Sequence, residues 1–160
     1  MELLLSNFDL VSYCKALHIP LKKILSKDLY DNVKVQIGAY IVNMQDEDDG
    51  NGTHWVGFII TENMAIYFDS YGMGIPPDIK KFLRRYKKMT VIYSIDQIQT
   101  IKSVACGWYV LYFLYFFTVL HKGNTNYRLL MNKHNSIYSL LNRQLNDKIL
   151  QQLIRNAFNK

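Results

Sequence analysis

Apolar and polar positions alternate differently from one segment of this chain to the next. Residues 103–120, from Ser103 to Leu120, carry no charged side chain. A helix that is apolar on every side must be surrounded by protein or by lipid. The run sits at the lower edge of the length that spans a bilayer, and Cys106, Gly107 and three tyrosines interrupt it, so the pattern predicts a helix buried at the centre of a folded domain. Around it the periodicity changes. Residues 8–17 are apolar at helical spacing with Pro20 just beyond, which predicts a short surface helix. Residues 33–42 alternate and are rich in β-branched side chains, which predicts a strand, and residues 89–95 predict another. Pro77 opens a helix through 78–87, and the apolar spacing in 136–158 predicts two amphipathic helices packed over the central one. Repeats and interdomain linkers are absent, so one domain over 1–160 is expected.

Residues 54–61 and 64–70 are two apolar runs separated by Glu62-Asn63, which is a hairpin signal. With a two-residue loop, Thr61 pairs with Met64 and Asp69 falls opposite Val56. His54, two residues before Val56, then projects from the same face as Asp69 on a diagonal that long side chains can bridge. Two nearby loops carry less. The acidic stretch 46–52 ends in glycine but lacks the alternate ligands and closing Glu of a calcium loop, so a solvated turn is expected. The Gly72-x-Gly74 step has no further glycine and no helix directly after it, so it is not a phosphate cradle.

Composition adds bounds. A chain of 160 residues buries roughly two-thirds of its unfolded surface and needs no staples. The formal charge is +6, which favours polyanionic partners but says nothing of fold. The densest charge run is Lys80, Lys81, Arg84, Arg85, Lys87 and Lys88, and it has two readings, a solvated helix face or a polyanion patch. Cys14 and Cys106 are far apart with no Cys-x-x-Cys pair, so neither a disulfide framework nor a zinc site is indicated and a reducing, intracellular compartment is expected. The N-terminus lacks the basic start and long apolar stretch of a secretory signal.

Cys106 is the residue that changes the picture. In the first turn of a helix a cysteine meets unpaired backbone N–H groups and the positive end of the helix dipole, both of which favour the thiolate. A lone cysteine in a helix is more often a small core residue. Here it has company, because the polar groups in chain order are His54, Asp69, Gln99 and Cys106. A thiol nucleophile needs a base within reach, a group orienting that base, and donors aimed at the developing oxyanion. These four residues fill the roles, with the histidine ahead of the cysteine rather than after it.

Gly52-Thr-His54-Trp55, Tyr67-Phe-Asp69-Ser-Tyr-Gly72 with Pro76-Pro77 downstream, and Gln99 seven residues before Cys106-Gly107 resemble the adenovirus-type processing proteases. That group includes the SUMO-deconjugating proteases and the proteases of virophages and Polinton-type transposons, and the Phe-Asp-Ser with a trailing Pro-Pro is most similar to the virophage and Polinton branch. The resemblance covers roughly residues 50–120. It implies an α+β fold, a mixed sheet packed against the cysteine helix with further helices flanking it. It implies Cys106 as nucleophile, His54 as general base and then acid, Asp69 as its orienting partner, and the Gln99 amide with the Cys106 backbone N–H as oxyanion donors. Trp55 would wall the substrate groove. The implied activity is that of a cysteine endopeptidase cutting capsid precursor proteins during virion maturation, with glycine often beside the scissile bond. Release of a SUMO- or ubiquitin-like modifier is the alternative. The implied setting is the virion or the host cytoplasm and virus factory, with no cofactor, no metal and no membrane partner. Adenovirus-type enzymes are stimulated by DNA and by a disulfide-tethered peptide. The 80–88 basic face leaves DNA as an activator open, while Cys14 lies in a different part of the chain from the tether.

Overall fold

A computed structural model describes residues 4–45, 54–85 and 89–160. Five strands lie side by side in sequence order: β1 (Leu21–Ser26), β2 (Gly38–Asn43), β3 (Trp55–Ile60), β4 (Met64–Phe68) and β5 (Thr90–Tyr93). The two outer pairs are parallel and the two inner pairs antiparallel. The fold is therefore α+β, built on a mixed sheet. The β3–β4 hairpin has the register that a Glu62-Asn63 loop dictates, with Gly57 opposite Phe68 and Ile60 opposite Ala65. Thr61 closes the loop by donating its N–H and its hydroxyl to the Met64 carbonyl, both at 2.8 Å.

The inner strands are buried on both faces, and their alternation sorts the side chains into two cores. Ala39, Ile41, Ile59, Ile66 and Phe68 belong to one, while Tyr40, Val42, Val56, Phe58 and Tyr67 belong to the other. The first core receives α1 (Asn7–Ala16), α3 (Cys106–Tyr115), α4 (Tyr127–Ser136) and α5 (Asn146–Phe158). The second is closed by α2 (Pro77–Arg84) through Ile79, Phe82 and Leu83, with Tyr30 from a 3-10 turn at Lys27–Asn32.

All ten residues of α3 are buried, and a π-helical turn at Phe116–Leu120 continues it. Burial of an uncharged helix against the sheet and three other helices supplies the apolar surroundings that its composition demands. Phe113 stacks on Phe68 with ring centroids 4.8 Å apart. Gly57 lets α3 approach β3, since a Cβ there would stand 2.8 Å from Val110 Cγ1. At the head of α3, Gly107 packs under Leu5 and Leu10. No helix among the described residues is long and apolar enough to cross a membrane.

The largest departures from the sequence reading are a late strand start, an unexpected edge strand and a displaced helix. The strand expected over 33–42 begins at Gly38, whose φ of +145° is accessible to glycine and brings the chain against Pro20 and Lys22. β1 carries two lysines in six residues and sits at the sheet edge, so it has no strong apolar signal. Only one of the two α-helices expected in 136–158 lies there, α5, because the Asn126 side chain caps the other by accepting the Leu129 N–H and that helix, α4, has ended by Ser136. The expected acidic turn at 46–52, together with Lys87 and Lys88, lies outside the described residues.

Candidate active site

The site forms where the hairpin's open end meets the head of α3. His54 immediately precedes β3 and Asp69 immediately follows β4, so the strand pairing alone brings them together. His54 Nε2 lies 2.8 Å from Asp69 Oδ1, and the Asp69 side chain is 1% exposed. The carboxylate is itself held, since Oδ1 also accepts the Tyr71 N–H at 2.8 Å. Tyr71 lays its ring on the imidazole, with centroids 4.4 Å apart, and its hydroxyl reaches the Ser103 carbonyl at 3.4 Å.

The other imidazole nitrogen, Nδ1, is buried and forms no hydrogen bond of standard geometry among the described residues. Cys106 nevertheless acts on this ring. Burial would lower the His54 pKa, but the hydrogen bond to Asp69, the interaction with the Cys106 sulfur and the charges of both outweigh it and raise the pKa to about 9. His54 is therefore an imidazolium at neutral pH, between a carboxylate and a sulfur. Cys106 is the first residue of α3, behind the N-cap Ala105, whose methyl side chain offers no cap to this end of the helix. Cys14, in contrast, is buried in α1 and its thiol is pushed up to about 12 by burial alone.

Gln99 is fully buried in the segment leading to α3. Its Oε1 accepts the Ser70 hydroxyl at 2.5 Å, and its Nε2 donates to Ser103 at the carbonyl, 2.9 Å, and at Oγ, 3.2 Å. The amide is thus engaged at both ends. Gln97 is further back and donates to the Gln99 carbonyl at 3.2 Å. Trp55 is only 6% exposed, and its indole N–H donates to the Leu5 carbonyl at 3.1 Å, which makes it a brace under the N-terminal segment with little surface left to line a groove.

Sequence reasoning brought His54, Asp69, Gln99 and Cys106 forward but missed two residues between them. Ser70 is next to Asp69 and points the other way, as successive residues at a strand end do, so one dipeptide serves His54 and Gln99 at once. Tyr71 links the histidine to the cysteine loop. Both lie inside the Phe-Asp-Ser-Tyr motif, and strand alternation past Phe68 is the signal that could have found Ser70. No group of three or more His, Cys, Asp or Glu side chains among the described residues is placed to hold a metal ion.

No protein-family model matches the chain, and no curated protein matches it by sequence. Solved structures similar to it include the ASFV pS273R protease, at 16% identity and a TM-score of 0.47, with 68% of this chain and 51% of that chain covered. A Se-Met form of the same protease gives 16% identity and a TM-score of 0.46 over 80% of this chain and 61% of that one. The SUMO protease Ulp1 with its catalytic cysteine oxidised to a sulfinic acid gives 15% identity and a TM-score of 0.48, over 97% and 79%. The chain thus spans about half to three-fifths of the ASFV protease chains that it matches.

Proposed function

We propose that this protein is a cysteine endopeptidase that cuts capsid precursors during virion maturation, acting in the virion or the host cytoplasm. The observation that carries the reading is the His54–Asp69 contact of 2.8 Å, on a ring whose pKa Cys106 also raises, at the head of a buried helix. A buried carboxylate, an imidazolium and a sulfur in series are what thiol catalysis needs.

The Cys106 thiolate attacks the peptide carbonyl carbon, forming the S–C bond and moving an electron pair onto oxygen. The Gln99 amide and the backbone N–H at the head of α3 receive that oxyanion. Because both Gln99 Nε2 contacts go to Ser103, the longer one, to Oγ at 3.2 Å, is the one to yield. The C–N bond then breaks as His54 gives its proton to the departing amine. Water, deprotonated by the same ring, attacks the thioester, and the S–C bond breaks to return the thiolate. Asp69 fixes the ring and stabilises its charged form. Trp55 supports this end of the groove from beneath, with its small exposed edge as its contact with substrate. DNA would act at α2, where Pro77, Lys80, Lys81, Arg84 and Arg85 line a groove of about 360 Å³. Arg85 is already committed to the carbonyls of Tyr30, Asp31 and Val33 and Lys81 pairs with Asp31 at 3.6 Å, so Lys80 and Arg84 carry most of that role.

The test offers purified enzyme a glycine-containing capsid peptide beside a SUMO- or ubiquitin-linked reporter. Cleavage of the peptide, lost in Cys106→Ala, supports the maturation reading. Release of the folded modifier without peptide cleavage supports a deconjugase.

A further inference from the structure

We propose that Asp147, in the first turn of α5, is a positioning residue for the loop that carries the nucleophile. This rests on the protease reading. A serine hydroxyl has one hydrogen and two acceptor positions. At Ser103 all three are used: the hydroxyl donates to Asp147 Oδ1 at 3.1 Å, and Oγ accepts the Ala105 N–H and the Gln99 amide, each at 3.2 Å. The direction of the first bond decides the other two, because the acceptor oxygen of Asp147 draws the hydroxyl hydrogen toward α5 and leaves the lone pairs facing Ala105 and Gln99.

The same oxygen, Asp147 Oδ1, also accepts the Tyr109 hydroxyl at 2.8 Å. Burial and the Asp147 carboxylate both raise the Tyr109 pKa, so the phenol stays protonated and donates. Ser103 and Tyr109 stand three residues before and three residues after Cys106. One carboxylate oxygen therefore ties the loop ahead of the nucleophile to the first turn behind it. Its neighbours grip the same loop. Arg143 Nε donates to the Gln97 carbonyl at 2.7 Å, and the buried Asn146 donates to the Ile98 carbonyl at 2.8 Å. Residues 143–147, leading into α5, are thus a clamp along 97–103, and Asp147 is the member that reaches the Cys106 turn.

The experiment compares wild type, Asp147→Ala, Asp147→Asn and Tyr109→Phe by kcat and KM on the glycine-containing peptide and by amide hydrogen exchange at Ala105 and Ile59. Asp147→Ala is expected to lower kcat at least about tenfold with KM within about twofold, and to speed exchange at Ala105 but not at Ile59 in β3. Asp147→Asn keeps an acceptor oxygen and should restore most of both, and Tyr109→Phe should fall between. Unchanged kcat and unchanged Ala105 exchange in Asp147→Ala would overturn the proposal. So would an Asn variant as impaired as the Ala variant, since the carboxylate's charge would then matter rather than its acceptor. If wild type cleaves no peptide, the protease reading fails, and exchange at Ala105 still decides whether Asp147 sets the loop.

Discussion

His54 stands at the open end of the hairpin beside a buried carboxylate, whereas His134 lies on α4 among the rings of Phe68, Tyr112, Phe113, Phe116, Phe117 and Tyr138. Burial pushes both pKa values down. At His54 the Asp69 and Cys106 partners reverse the push and take the value to about 9, while at His134 the lone hydrogen bond to Asn135 does not, and the value falls to about 4. The pair teaches that exclusion from water does not choose a protonation state. An anion within hydrogen-bond reach does, and only one of the two histidines is equipped for proton transfer at neutral pH.

The sharpest break of that comparison is to remove each imidazole in turn. His54→Phe is expected to reduce kcat/KM by about a thousandfold or more, within the range for losing a general acid and base. His134→Phe should leave it within about twofold, as the proposed reaction makes no use of this ring. Peptide cleavage assays on the two variants side by side make the check, and comparable losses would mean that the wrong histidine has been placed in the chemistry.

Removing the anion rather than the ring sharpens the same contrast. Asp69→Asn keeps a hydrogen-bonding side chain but loses the charge that lifts His54. The alkaline limb of the kcat/KM profile, expected near 9 for wild type, should move down toward the ordinary histidine value of 6.5. The rate should fall by about a hundredfold. A limb that stays near 9 would assign it to another group. Gln99→Ala is expected to cost a similar factor of about a hundred, the scale for one oxyanion donor, with Gln97→Ala near wild type. The reverse order would transfer the role to Gln97.

How much of this was legible in the sequence follows from which interactions are local. The β3–β4 register was readable because a two-residue loop leaves one pairing, and that pairing by itself set His54 opposite Asp69. The cysteine helix was readable because nothing charged interrupts it. Asp147 was not, because its partners Ser103 and Tyr109 lie 44 and 38 residues away and no periodicity links a helix's first turn to a distant loop. Trp55 was half legible for a related reason. Its place beside His54 pointed to the groove, but the indole's bond to the Leu5 carbonyl, 50 residues upstream, has no local signal.

The smallest effect is on stability. His134 is neutral in the fold and its pKa lies below the unfolded value of about 6.5, so it supports the fold above that pH. The contribution, on the order of 3 kcal/mol, is lost as pH falls from about 6.5 through about 4, because the unfolded chain takes up a proton that the aromatic cage refuses. His54 has the opposite sign. Its pKa is raised, so its contribution is complete below about 6.5 and is lost as pH rises through about 9. Urea unfolding of wild type should therefore weaken on both flanks of neutrality. His134→Phe, which places one more ring among rings, should flatten the acid flank and leave the alkaline one as it was. If the variant and wild type lose the same stability between pH 7 and pH 4.5, the acid sensitivity belongs to the carboxylates and the buried imidazole contributes nothing to it.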